Sequence, residues 1–133
     1  MYIVIDFDGT IVYDRFPNVG KLKPNAKKYL RRLKDEGHTL ILWTCREENK
    51  LYKARMFLAE HGIYFDYINM HPIEKMEEFK NDCRKIIGDI IIDDRNLGGI
   101  PEDWKDIYKM IKQHEGKLNS RKQLLCQTKE NES

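Results

Sequence analysis

The sequence predicts an α/β fold, a Rossmann-like three-layer α/β/α sandwich on a mainly parallel sheet. Two observations carry this. Short runs of β-forming residues alternate with segments whose apolar residues recur at helical spacing, and the first, second and fourth runs stop abruptly at Asp or Thr. Such alternation calls for parallel strands joined by right-handed crossovers and covered by helices on both faces. A chain of 133 residues, 41% hydrophobic and 35% charged, suits one domain with one core.

Tyr2 to Ile5 is an apolar run ending at Asp6, the pattern of a buried strand that delivers its last residue to a sheet edge. Gly9 to Lys23 contains Pro17 and Gly20 and no periodicity, which predicts a loop or small hairpin. Pro24 suits a helix start, and Ala26, Tyr29, Leu30 and Leu33 make a buried stripe that Gly37 ends. Thr39 to Trp43 reads as a second strand ending at Thr44, and Glu47 to His61 as a second helix stopped by Gly62. Tyr64 to Ile68 reads as a third strand. Pro72 to about Arg84 reads as a third helix with Ile73, Met76, Phe79 and Cys83 on one side. Asp89 or Ile90 to Ile92 is a fourth strand that runs into Asp93-Asp94. Trp104, Ile107, Tyr108 and Ile111 repeat the helical stripe, and residues 118–133 read as a polar tail or frayed helix.

Composition excludes several functions. Twenty-four Lys and Arg against 22 Asp and Glu leave a net charge of +2, too balanced for a footprint on nucleic acid or anionic lipid. The longest apolar runs are about four residues, far below the roughly 20 that span a bilayer. The N-terminus lacks a basic leader, so no secretory signal is expected. Cys45, Cys83 and Cys126 show no ligand spacing, which argues against a disulfide framework or zinc site and for a reducing cytoplasm. His38, His61, His71 and His114 suggest no metal site either.

In parallel sheets chemistry gathers at the carboxyl ends of the strands, where strand order reverses. There the sequence places Asp6 and Asp8, Thr44, and Asp93 and Asp94. Four aspartates at one edge repel one another by roughly 4 kcal/mol per pair at about 4 Å and an effective dielectric near 20, so a cation is expected among them. A hard, oxygen-ligated ion such as Mg²⁺ fits. Aspartates at strand ends also serve as caps and turn formers.

The string Asp6-Phe7-Asp8-Gly9-Thr10 after an N-terminal strand resembles the first motif of the haloacid dehalogenase superfamily of phosphohydrolases and phosphotransferases. Thr44 stands where the second motif requires it, and Ile90-Ile91-Ile92-Asp93-Asp94 matches the fourth. For the motif-three lysine, Lys85 is the first choice and Lys80 the second. The resemblance covers about residues 1–115, with residues 1–117 as the catalytic core. It implies that Asp6 is a nucleophile forming a phosphoaspartate. It implies Mg²⁺ held by Asp6, the Asp8 carbonyl and Asp93, with Asp94 holding a water of the ion or another site group. Thr44 would donate to a phosphoryl oxygen and Lys85 would screen Asp6 from the phosphate. Asp8 would be general acid and then base, and Asp at that position favours hydrolysis over a retained phosphoenzyme.

Gly9, Thr44, Cys45 and Arg46 are the expected substrate-side residues, Gly9 by permitting a tight turn and Arg46 by gripping a phosphate or carboxylate, or else pairing with Glu47 or Glu48. Thr10 is expected to stabilise the turn, Cys45 to pack rather than attack, and Tyr13, Arg15 and Phe16 to meet substrate. Arg95 and Asn96 would shape the rim. Neither usual cap insertion has room, so the site should be open to a phosphorylated substrate unless the 11–22 loop or an oligomeric partner covers it. The motifs leave nucleotide, sugar and macromolecular phosphates open. The alternative is a non-catalytic phosphate-binding or phosphoacceptor signalling domain on the same fold. A signalling receiver would put its phosphoaspartate after the third strand, where this chain has Asn69, and the intact motif residues argue against a scaffold.

Overall fold

A computed structural model describes residues 1–132, and the side chains of residues 1–128. Four parallel strands form the sheet, β1 (Tyr2–Ile5), β4 (Thr39–Leu42), β5 (Tyr67–Ile68) and β6 (Ile90–Ile92), in the spatial order β5-β4-β1-β6. Between β1 and the first helix, β2 (Val12–Arg15) and β3 (Asn18–Leu22) pair as a separate antiparallel hairpin. The helices are α1 (Ala26–Asp35), α2 (Glu48–Glu60), α3 (Ile73–Phe79) and α4 (Trp104–Glu132). The α/β fold with a parallel sheet flanked by helices is the one the sequence predicts.

Alternation along the strands divides the core. Ile3, Ile5, Leu40, Leu42 and Ile92 meet α1 through Ala26, Tyr29, Leu30 and Leu33, α2 through Ala54 and Leu58, and α4 through Trp104, Ile107, Tyr108 and Ile111. Both predicted helical stripes are therefore buried as expected. Val4 and Ile41 face the other way, onto Ile86 with Tyr2, Trp43 and Tyr67 around it. That second layer is thin, and Ile73, Phe79 and Ile91 stay more than half exposed.

Three elements depart from expectation. β5 is two residues long, because the Asp66 carboxylate takes the Leu40 N–H at 2.8 Å and Lys34 at 2.6 Å, replacing regular ladder pairing before Tyr67. α3 stops at Phe79, where Lys80 adopts a left-handed backbone at φ 56°, so the expected stripe through Cys83 does not form and no α3 residue is buried. His71, buried, bonds the Cys83 carbonyl and accepts from the Ile87 N–H, fixing the chain beyond α3 without a helix. α4 continues through the segment read as a tail, although every side chain from Asn119 to Thr128 is exposed. Ser133, the last residue of that tail, lies outside the described residues. Among the described residues no helix is long and apolar enough to cross a membrane.

Trp104 ties α4 to the loop after β1. It is fully buried, and its Nε1–H donates to the Thr10 carbonyl at 3.0 Å. Trp104→Phe should cost about 2–3 kcal/mol from the orphaned carbonyl and the space left behind. A lowered urea midpoint with an unchanged slope would register it.

Candidate active site

Ladder hydrogen bonds run one residue past β1, β4 and β5 and fix the first loop residue. Asp6 N–H donates to the Ile92 carbonyl at 2.9 Å, Trp43 N–H to Ile5 at 2.9 Å and Asn69 N–H to Leu42 at 2.8 Å. Strand order reverses at β1, which has β4 on one side and β6 on the other. The carboxyl edge around this point opens into a cleft of about 460 Å³ lined by Asp6, Asp8, Thr44, Cys45, Arg46, Asp93 and Asp94 of the expected set. Asp14, Phe16, Trp43, Asn69 and Arg95 complete the wall.

Asp6, Asp93 and Asp94 each bring an oxygen within 4.8 Å of the others. Thr10, fully buried, organises them: its hydroxyl donates to Asp6 Oδ2 at 3.0 Å and accepts from the Asp94 N–H at 3.0 Å. Thr10 thus stabilises the turn, as expected. Burial of Asp6, reinforced by the Asp93 charge and a hydrogen bond with Asp94, raises its pKa from the ordinary 3.8 to about 7. Three carboxylates converging with one held reluctantly ionised make an all-oxygen donor set of the kind that suits a hard divalent cation. The Asp8 carboxylate is not in this group and turns to Arg46; the contact expected of Asp8 is through its backbone carbonyl.

Arg46 is 1% exposed. Its Nε donates to Asp8 Oδ2 and its Nη2 to Asp8 Oδ1, both at 2.7 Å, a two-point fork. The remaining N–H groups reach the Asn18, Pro17 and Lys50 carbonyls at 2.7, 3.1 and 3.2 Å. All five guanidinium donors are engaged, so the expected grip on substrate and the pairing with Glu47 or Glu48 both give way to a grip on Asp8. Gly9 adopts φ +83°, and a Cβ there would lie 2.2 Å from Asp94 Oδ2. Its place in the site is thus to let the Asp94 carboxylate close over the backbone.

Thr44 N–H donates to Asn69 Oδ1 at 2.8 Å, and Thr44 Oγ1 accepts from Arg46 N–H at 3.1 Å, which leaves the hydroxyl proton free to donate. Cys45 lines the cleft with its thiol exposed. Of the three hairpin residues expected to meet substrate, Phe16 lines the cleft. Tyr13, which bonds Glu102, and Arg15 do not. Arg95 lines the rim, Asn96 does not. Neither Lys85 nor Lys80 lines the cleft; both are exposed, Lys80 as the left-handed cap of α3 and Lys85 on the chain that His71 fastens.

A conserved protein of Bacteroides thetaiotaomicron, known by its locus, is 44% identical to this chain, covers 85% of it and is itself covered over 90%, with a TM-score of 0.76. The chain belongs to that protein's family. A chain of the Pnkp1/Rnl/Hen1 RNA repair complex has a TM-score of 0.50 at 21% identity, over 71% of this chain and 36% of that one, a likeness of fold alone. No family model and no curated protein matches the sequence.

Within this family member, sequence reasoning missed Asn69 and Trp104. Asn69 sits at the end of the third strand with φ 54°, a conformation Asn tolerates better than most residues, and it buttresses Thr44. A polar residue ending a strand was its signal. Trp104 had none beyond its helical spacing.

The raised Asp6 pKa has a thermodynamic consequence. Between pH of about 4 and about 7 the metal-free folded protein keeps a proton on Asp6 that the unfolded chain has lost. Stability from this group is therefore fully present below the unfolded value and is lost as pH rises through 7. With solvent screening in a half-open cleft, the loss is about 1–2 kcal/mol. Melting in EDTA at pH 5 and pH 8 should show it as a drop at pH 8, and Mg²⁺ should reverse that drop. An equal drop in Asp6→Asn would place its origin elsewhere.

Proposed function

We propose that the protein is a capless phosphohydrolase of the haloacid dehalogenase type, dependent on Mg²⁺ and cleaving a phosphate monoester through a phosphoaspartate on Asp6. The observation that carries this reading is the pairing, across the point where strand order reverses, of Asp6 with Asp93 and Asp94, with the Asp8 carboxylate clamped two residues on. Asp6, Asp93 and Asp94 would hold the ion, which when bound neutralises phosphoryl charge so that an anionic nucleophile can approach.

The chain's own residues do the rest. An Asp6 oxygen attacks phosphorus, the bond from phosphorus to the ester oxygen breaks, and Asp8 passes a proton to the leaving oxygen. Asp8, now ionised, takes a proton from a water that attacks the same phosphorus. The bond to Asp6 breaks, and inorganic phosphate leaves with Asp6 restored. Thr44 donates its free hydroxyl proton to a phosphoryl oxygen. Among the described residues lining the cleft, Arg95 is the one cation without an ion-pair partner, and it takes the outer phosphate-facing role in place of Lys85. The hairpin supplies Asp14 and Phe16 on the wall of an otherwise open cleft, in keeping with a substrate that is not enclosed. The three free thiols suit a reducing cytoplasm.

Release of inorganic phosphate from a panel of nucleotide, sugar and oligonucleotide phosphate esters tests the reading. Turnover with Mg²⁺ and none in EDTA is expected. Normal Mg²⁺ binding with no turnover across the panel would favour the binding-domain alternative.

A further inference from the structure

We infer that Arg46 is a positioning residue that sets the plane of the Asp8 carboxylate and holds the β2–β3 hairpin against the cleft, so that the acid–base group and the cleft wall are fixed by one side chain. The chemical role of Asp8 in this inference rests on the function proposed above. The geometry of the latch does not.

The placement of the pair is asymmetric. Asp8 keeps 17% of its side chain exposed and lines the cleft, while Arg46 lies behind it at 1%. A guanidinium removed from water in this way is costly unless each donor is satisfied, and here each is. The acceptors come from three separate segments: Asp8 after β1, Pro17 and Asn18 at the tip of the hairpin, and Lys50 in the first turn of α2. The planar cation also lies over two rings, 5.3 Å from the centre of Phe7 and 5.2 Å from that of Phe16. Phe7 belongs to the first motif and Phe16 to the hairpin. Arg46 thus joins the loop carrying Asp6 and Asp8 to the hairpin carrying Asp14 and Phe16, and its own N–H rests on Thr44 Oγ1.

Lysine cannot replace it. An ammonium has three donors on a point charge and cannot fork onto both oxygens of Asp8 while holding three carbonyls. Arg46→Lys should keep the charge and lose the geometry. It should lower kcat by about 100-fold, the scale of a misplaced reacting group, with KM for a small ester changed by less than about threefold. Arg95→Ala, which alters the open rim, should do the reverse and raise KM more than it lowers kcat.

The second arm is hydrogen exchange of the full-length protein over residues 12–22 and needs no turnover. Arg46→Lys should accelerate exchange in the hairpin while β1 and β4 keep wild-type protection. Phe16→Leu, at a half-exposed position that threatens folding less, removes one of the two rings that meet the cation and should accelerate the same amides to a smaller degree. Wild-type exchange in the hairpin of both variants would overturn the latch. An Arg46→Lys enzyme with wild-type kcat would overturn the positioning of Asp8 by Arg46. A wild type that hydrolyses no ester, yet shows hairpin loosening in both variants, would overturn the phosphohydrolase reading and leave the latch standing.

Discussion

Asp6→Asn should release no measurable phosphate while melting higher than the wild type in metal-free buffer at pH 8. The amide keeps the shape of the side chain, can still accept from the Thr10 hydroxyl and can donate to Asp94, so the local hydrogen bonds survive. What it loses is the proposed nucleophile, and removal of a nucleophile costs a factor of at least about 10³ in kcat. What it gains is relief from an ionised carboxylate at Asp6, whose own burial and then the charge of Asp93 beside it push its pKa to about 7. The gain is about 1–2 kcal/mol after screening, and it shrinks as pH falls from 7 towards 4, below which the wild-type group is protonated in the folded and the unfolded chain alike. Activity and stability moving in opposite directions is the signature of strain held for function. Parallel loss of both would mean that Asp6 is a structural residue.

Gly9→Ala is the second large effect. The new methyl would meet Asp94 Oδ2 at 2.2 Å with its carboxyl carbon at 2.7 Å, and φ +83° is a conformation that L side chains rarely adopt. Backbone strain of that kind costs about 1–3 kcal/mol. The side chain can escape only by withdrawing Asp94 from Asp6 and Asp93, which dismantles the acidic group. Mg²⁺ affinity measured by calorimetry should fall at least about tenfold together with the loss of stability. Unaltered Mg²⁺ affinity in a destabilised variant would remove Asp94 from the set of residues that would hold the ion.

The parts of the fold that could be read from the sequence are those whose cause is local. Ala26, Tyr29, Leu30 and Leu33, like Trp104, Ile107, Tyr108 and Ile111, announce a buried helix face through spacing alone, and both faces are buried. Asp6, Thr44, Asp93 and Asp94 follow apolar strands directly, and ladder bonds carry the chain past the strand ends into the same cleft. The misread parts depend on distant partners. Asp66 shortens β5 because Leu40 and Lys34 are near it in space. The stripe from Ile73 to Cys83 obeys helical spacing, but the chain turns left-handed at Lys80, and nothing in the periodicity marks that turn. Arg46 stands two residues after Thr44, a place that suggests a substrate contact. Four of its five contacts reach partners 28 to 38 residues away, and three of the five are to backbone carbonyls, which carry no sequence signal.

In the proposed reaction the phosphoryl group passes through Asp6. Full-length protein mixed with p-nitrophenyl phosphate and Mg²⁺, quenched in acid and digested, should yield a phosphorylated peptide with the phosphoryl group on Asp6. Asp8→Asn should accumulate more of it, because a good leaving group needs little help from an acid in the first step while the second step has lost its base. Asp6→Asn should yield none. Mg²⁺-dependent phosphate release with no adduct on Asp6 in the wild type or in Asp8→Asn would contradict the account.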